Sequence, residues 1–217
     1  MSDRHSYAGG PCHPELAAIA LIGLTHIVLE TTVSEAVALW FSGVAALVFV
    51  GYLLWRARGG APVLRAWGMR RDNFWVALGA QLPIVVGGGV AILGYGLAVG
   101  SLGLPRGFWL TLALYPVWGI AQQFGLQNLI ARNVASLVSH PVAVAGVAAA
   151  LFAASHIPRW PLVSLTLVSG FFFTLFYRRA PNLWAVGIVH GVLGSLAIYL
   201  VSQEDPGASI WQFLAGP

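Results

Sequence analysis

The chain has 217 residues, of which 58% are hydrophobic and only 8% charged, about a third of the charged share usual in a soluble domain. That composition excludes water as the main solvent of the chain. The net charge of +4 does not make a nucleic-acid-binding protein, because the arginines fall in short intervals between apolar runs and not on one water-exposed face, so no nucleic-acid partner is expected.

In chain order, residues 1–15 carry Arg4 and two histidines and read as an N-terminal tail. The single cysteine, Cys12, allows no intrachain disulfide and no cysteine-based metal cage. The first apolar run, 16–33, has no small-residue cleavage pattern after it, so it is expected to be a retained span and not a removed signal peptide. Further runs at 36–55, 74–100, 108–131, 142–156, 162–177 and 183–201 approach the roughly 20 residues that a helix needs to cross a bilayer. The expected fold is all-α, a polytopic transmembrane helix bundle of about seven spans, the fifth and sixth short.

The intervals between the runs set an orientation. Arg56, Arg58, Arg65, Arg70 and Arg71 crowd the interval 56–73, Arg132 marks a second and Arg178 and Arg179 a third, all on one side of a seven-span chain. By the positive-inside rule that side is cytoplasmic, and the N-terminus with it. The other side receives Arg106 and Arg159 with Glu30, Glu35, Glu204 and Asp205. The interval 56–73, which also holds Trp67 and Met69, reads as an interfacial loop or short surface helix. The third run carries Gln81, Pro83 and glycines at 87, 88, 89, 94, 96 and 100, small residues that let helices pack closely in lipid. All eleven basic residues are arginine, which with the Ala, Gly and Val content points to a GC-rich bacterial genome and so to a bacterial inner membrane.

Hydrocarbon offers no hydrogen bonds, so amides and imidazoles inside a span turn towards a bundle interior or a cavity. The fourth run carries Gln122, Gln123, Gln127 and Asn128, the fifth ends at His156, and the seventh holds His190 among Gly187, Gly191 and Gly194. Gln123 and Gln127, four apart, share a helix face. Such groups can serve as interhelical glue, but three glutamines within six residues together with two histidines on other runs also make a candidate site.

The stretch from Phe108 to Ile198 resembles the core of the CAAX-protease and bacteriocin-processing (CPBP, or Abi) family of intramembrane endopeptidases, whose members show EExxxR, FxxxH and HxxxN or HxxxD on successive spans. FxxxH stands intact as Phe152 to His156, and the segment SGFFFTLFYRRAPNLWAVGIVH, Ser169 to His190, resembles the family in its glycine-bearing helix, basic turn, Asn-Leu-Trp and histidine. The resemblance divides the chain into a cytoplasmic tail 1–15, N-terminal transmembrane helices 16–107, a four-helix core at 108–201 and a tail 202–217. It implies that a glutamate and the first histidine activate water for peptide hydrolysis, without metal or other cofactor, on a membrane-associated peptide.

The departures bear on that mechanism. Gln122 and Gln123 stand where the resemblance puts the two glutamates, Gln127 where it puts the arginine, and Gly194, next to Ser195, where it puts the closing Asn or Asp. A carboxamide cannot take a proton from water as a carboxylate can. The expected site is therefore His156, His190, Gln122 and Gln123, with Gln127, Asn128, Phe152 and Ser195 lining its cavity, in a protein whose glutamate-dependent hydrolysis is altered or lost. His156 and His190 remain candidate bases, since imidazole titrates near neutrality. Two other readings stay open: a non-catalytic scaffold or immunity-type membrane protein, and a membrane protein binding haem or metal through His26, His156 and His190. Straight helices would place His156 roughly 10 Å further along the bundle axis than Gln122 and His190.

Overall fold

The computed structural model describes residues 13–33 and 35–215. Expectations concerning Cys12 and the extreme N-terminal tail lie outside the described residues, as does the side chain of His26. Every regular element among the described residues is helical. Helices α1 (His13–Thr32), α2 (Glu35–Ala57), α3 (Ala61–Ala66), α4 (Phe74–Ala80) and α5 (Leu82–Val99) form the first half. The second half comprises α6 (Arg106–Phe124), a π-helical segment Gly125–Ala131, α7 (Arg132–Leu137), α8 (Pro141–Ala154), α9 (Trp160–Arg179), α10 (Leu183–Ala197), a second π-helical segment Ile198–Ser202 and α11 (Pro206–Ala215).

Each of the seven apolar runs folds as helix, and the protein is an integral membrane protein. Leu82–Val99, Trp160–Arg179 and Leu183–Ser202 are long and apolar enough to cross a membrane. The outer surface carries the bulky apolar side chains, with Trp40, Leu47, Val117 and Leu97 each at least 70% exposed. Polar Gln123, Thr174 and Ser195 are fully enclosed. That arrangement suits lipid outside and hydrogen-bonding partners inside. α10 is the central helix, ten of its fifteen residues being buried.

Two boundaries differ instructively from the sequence reading. The 74–100 run is broken at Gln81, where Pro83 opens α5 and cannot donate to the preceding turn. Arg132 does not lie in a loop, because the helical rod continues through it to Leu137. Its guanidinium donates to Glu15 Oε2 at 2.8 Å, with both side chains less than a tenth exposed, and Asn133 Nδ2 donates to the same oxygen at 3.0 Å. Tyr52 donates to the other oxygen of that carboxylate. A charge neutralised in this way need not leave the helix for headgroups or water.

The interval 56–73 contains the short helix α3, as its amphipathic composition suggested, but it is also tied into the bundle. Trp67 is buried edge-on against Phe124, ring centroids 4.9 Å apart. The Trp67 carbonyl accepts from Asn128 Nδ2 (3.2 Å) and from Tyr177 Oη (3.0 Å). The Gly68 carbonyl accepts from the Leu183 amide, and Asn73 Nδ2 donates to the Pro181 carbonyl. Asn182 caps α10 by accepting from the Ala185 amide and donates to the Arg70 carbonyl and Asn73 Oδ1. The first basic interval and the α9–α10 turn thus form one end of the molecule.

Candidate functional site

Small residues bring α6 and α10 into backbone contact. A Cβ on Gly119 would lie 2.4 Å from the Gly187 carbonyl oxygen, one on Gly187 2.7 Å from Ile120 Cα, and one on Gly191 2.4 Å from Pro116 Cα. Glycines at 187, 191 and 194 recur at the three- and four-residue spacing of one helix face, so α10 presents a groove into which α6 settles. By contrast Gly87, Gly89 and Gly94 face open space, and only Gly88 and Gly96 of the α5 series named above meet another part of the chain. The close approach that bears on the site is that of the α6–α10 pair.

That approach carries the Gln122–Gln123 pair to His190. The amide nitrogen of Gln123 lies 2.9 Å from His190 Nδ1, and His190 Nε2 lies 2.8 Å from Gln122 Oε1. Gln127 Nε2 donates to Gln123 Oε1 at 2.9 Å and reaches towards Thr174 Oγ1 of α9 at 3.5 Å. With these amide orientations one polarity runs through the set: Gln127 donates to Gln123, Gln123 to Nδ1, and Nε2–H to Gln122. The imidazole is then neutral, with both nitrogens engaged. Phe173 stacks on its face, centroids 5.5 Å apart and planes at 29°. Gln127 Oε1 is buried without a partner among the described residues, a local cost of the arrangement.

A cavity of about 90 Å³ adjoins the imidazole. Gln122, His156 and His190 all line it, with Tyr115, Thr166, Ser169 and apolar residues of α5, α9 and α10. α8 is only fourteen residues long, and His156 stands in the turn that follows it, its Nδ1 3.0 Å from the Phe152 carbonyl oxygen. The Phe152 ring lies edge-on to both imidazoles, 5.1 Å from His156 and 6.2 Å from His190, so a single aromatic spans the offset that straight helices imply.

Other residues singled out from the sequence are placed behind the cavity. Gln123 and Gln127 are buried beneath His190. Asn128 turns to the Trp67 carbonyl, and Ser195 donates to the Gly191 carbonyl of its own helix at 2.8 Å. Thr174, Phe173 and Tyr115 complete the surroundings and were not anticipated. A lone threonine, one phenylalanine of a run of three and a tyrosine in an apolar span carry no pattern that would single them out.

Residues 104–196 match the family model of Type II CAAX prenyl endopeptidase Rce1-like proteins. The segment is similar to the CAAX endopeptidases over those residues. No curated protein and no solved structure matches the chain. The matched segment takes in the rod from α6 to α7, then α8, α9 and nearly all of α10. Every member of the hydrogen-bonded chain, Gln122, Gln123, Gln127, Thr174 and His190, lies within it, whereas the α5 wall of the cavity does not. Four residues after His190 the chain has Gly194, and a Cβ there would approach Tyr115 Cε1 to 2.6 Å. The Tyr115 ring occupies the space into which a larger side chain at 194 would project.

Proposed function

We propose that the CAAX-endopeptidase-like core of this membrane protein receives part of a membrane-associated peptide in the cavity beside His190 and no longer performs glutamate-dependent hydrolysis. The observation carrying this reading is the bonding of His190 to two carboxamides, Gln122 and Gln123. Activation of water for attack on a peptide needs a group that can accept its proton. A glutamine does not, and the lone pair of the neutral His190 already accepts from Gln123. By the resemblance read from the sequence, Gln122 and Gln123 stand where the family has its paired glutamates, and Gln127 where it has its arginine. Loss of all three charges together leaves no orphan ion in a buried site. Of the three glutamines Gln122 alone lines the cavity, and its amide is the group placed to hold a peptide. At about 90 Å³ the cavity admits a small side chain or a few waters, not a whole peptide, so the rest of the ligand would run outside it. In this proposal the arginine-rich end faces the cytoplasm and the host membrane is a bacterial inner membrane.

The test is an internally quenched prenylated peptide presented to the purified protein in detergent. Saturable binding without cleavage is expected, and Gln122→Leu should weaken that binding. Cleavage by the unaltered protein that disappears in both His156→Ala and His190→Ala would overturn the loss of hydrolysis while keeping the site. The double substitution Gln122→Glu, Gln123→Glu asks separately whether the fold still supports turnover.

A second reading has its own support: the Gln127–Gln123–His190–Gln122 chain, with Thr174, joins α6, α9 and α10 in the manner of interhelical glue. In a scaffold of that kind, substitutions in the chain lower thermal stability and leave peptide binding unchanged.

A further inference from the structure

A second concavity lies away from His190, at the arginine-rich end. It measures about 440 Å³ and is lined by Arg70, Arg71, Phe74, Trp75 and Trp184. Its walls come from the end of the first basic interval, the start of α4 and the start of α10, the parts that Asn73 and Asn182 bind together. The groove is thus built on a fixed framework. Asp72 takes Arg70 through Nε and one Nη and also accepts from Arg65 at 3.0 Å, which holds the Arg70 guanidinium by one edge. Arg71 beside it is exposed.

We infer that this groove binds the phosphate-bearing headgroup of an anionic phospholipid. Arg71 supplies hydrogen-bond donors and charge for the phosphate, and Arg70, whose charge Asp72 balances, adds the donors of its free edge. Arg178 and Arg179 precede the α9–α10 turn at the same end of the molecule but do not line the groove. The aromatic walls select the source of that phosphate. Trp75 is 78% exposed and Trp184 39%, and indoles presented outward beside arginines at the end of a span are the side chains that settle at the headgroup level of a bilayer. α5, which follows α4, carries exposed Leu82, Val86, Val90 and Leu97, an apolar surface for acyl chains. A soluble phosphate would gain nothing from these walls.

The experiment uses the full-length protein purified in detergent, exposed to equal amounts of phosphatidylglycerol and phosphatidylcholine and examined by native mass spectrometry. Phosphatidylglycerol is expected to be retained about tenfold over phosphatidylcholine, and Arg71→Gln to lower its retention about fivefold, the usual effect of one arginine near an anionic surface. Trp184→Leu, which changes no charge, should lower retention as well. The control Arg178→Gln, Arg179→Gln, outside the groove lining, should lower retention less than Arg71→Gln does. Equal retention of the two lipids would overturn the inference, as would a control that loses as much as Arg71→Gln, which would mean diffuse surface charge. Displacement of phosphatidylglycerol by millimolar inorganic phosphate would overturn it in favour of a free-phosphate site. Because Arg71 is exposed, its variant is expected to melt with the unaltered protein; if it does not, Trp184→Leu decides.

Discussion

Gly191→Ala tests whether backbone contact between α6 and α10 builds the His190 site. The new Cβ would lie 2.4 Å from Pro116 Cα, 2.6 Å from Pro116 N and 3.0 Å from the Tyr115 carbonyl carbon, all backbone atoms that no rotamer change can move. Ordinary contact begins at 3.4 Å, so the helices must separate by about 1 Å or distort locally. A rigid separation of that size stretches the 2.8 and 2.9 Å bonds of His190 to Gln122 and Gln123 beyond hydrogen-bonding distance. Overpacking costs about 1–3 kcal/mol and each of the two lost buried hydrogen bonds about 1 kcal/mol more, giving a destabilisation of about 3–5 kcal/mol. The comparison is Gly89→Ala in α5, where a Cβ meets nothing within 4 Å and helix propensity favours alanine by about 0.5–1 kcal/mol. Thermal unfolding of both variants in the same detergent should show a clear fall for Gly191→Ala and no loss for Gly89→Ala. Equal melting of the two would refute the claim that this contact assembles the site.

Three other outcomes can be measured in the same material. Gln123→Leu leaves His190 Nδ1 and the Gln127 amide without their partner and should cost about 2–5 kcal/mol in denaturant unfolding, whereas Gln127→Leu, which also removes a buried unpaired carbonyl, should cost about 1 kcal/mol. Glu15→Gln strands the buried Arg132 charge and should destabilise by about 3–5 kcal/mol, with most of that recovered in the double variant Glu15→Leu, Arg132→Leu; a single variant without effect would show that the pair is not load-sharing. The Arg70 guanidinium beside Asp72 holds that carboxyl well below its ordinary range. Its contribution to closing the 65–72 segment is therefore complete above about pH 4 and is lost as pH falls through the lowered pKa. Hydrogen exchange of the segment should rise towards acid in the natural protein and be insensitive to acid in Asp72→Asn.

Much of the architecture was legible in the sequence because lipid imposes a simple condition: backbone that crosses hydrocarbon must be helical, and apolar runs separated by arginines mark where it crosses. The runs at 162–177 and 183–201 correspond to α9 and to α10 with its π-helical extension, within a few residues. Gln122, Gln123 and His190 stood out for the same reason, as polar groups that could not face acyl chains. Helix facing was far less legible. In water an apolar stripe reveals the buried side of a helix, but in lipid both sides are apolar, so nothing in the run 74–100 distinguished Gly88, which packs on Leu193, from Gly87, which packs on nothing.

The sequence by itself determined that the protein lives in a membrane, where its helices run and which polar residues must seek one another. Only the tertiary structure decided that Arg132 stays within a helix, because its compensating charge, Glu15, lies 117 residues away in the chain. It alone decided that Gln122 and Gln123 take opposite sides of one imidazole while Asn128, six residues on from Gln122, turns to a loop carbonyl. Burial makes each polar group find a partner, but which partner depends on how closely two backbones can approach. That distance is set here by glycines on α10 meeting the backbone of α6.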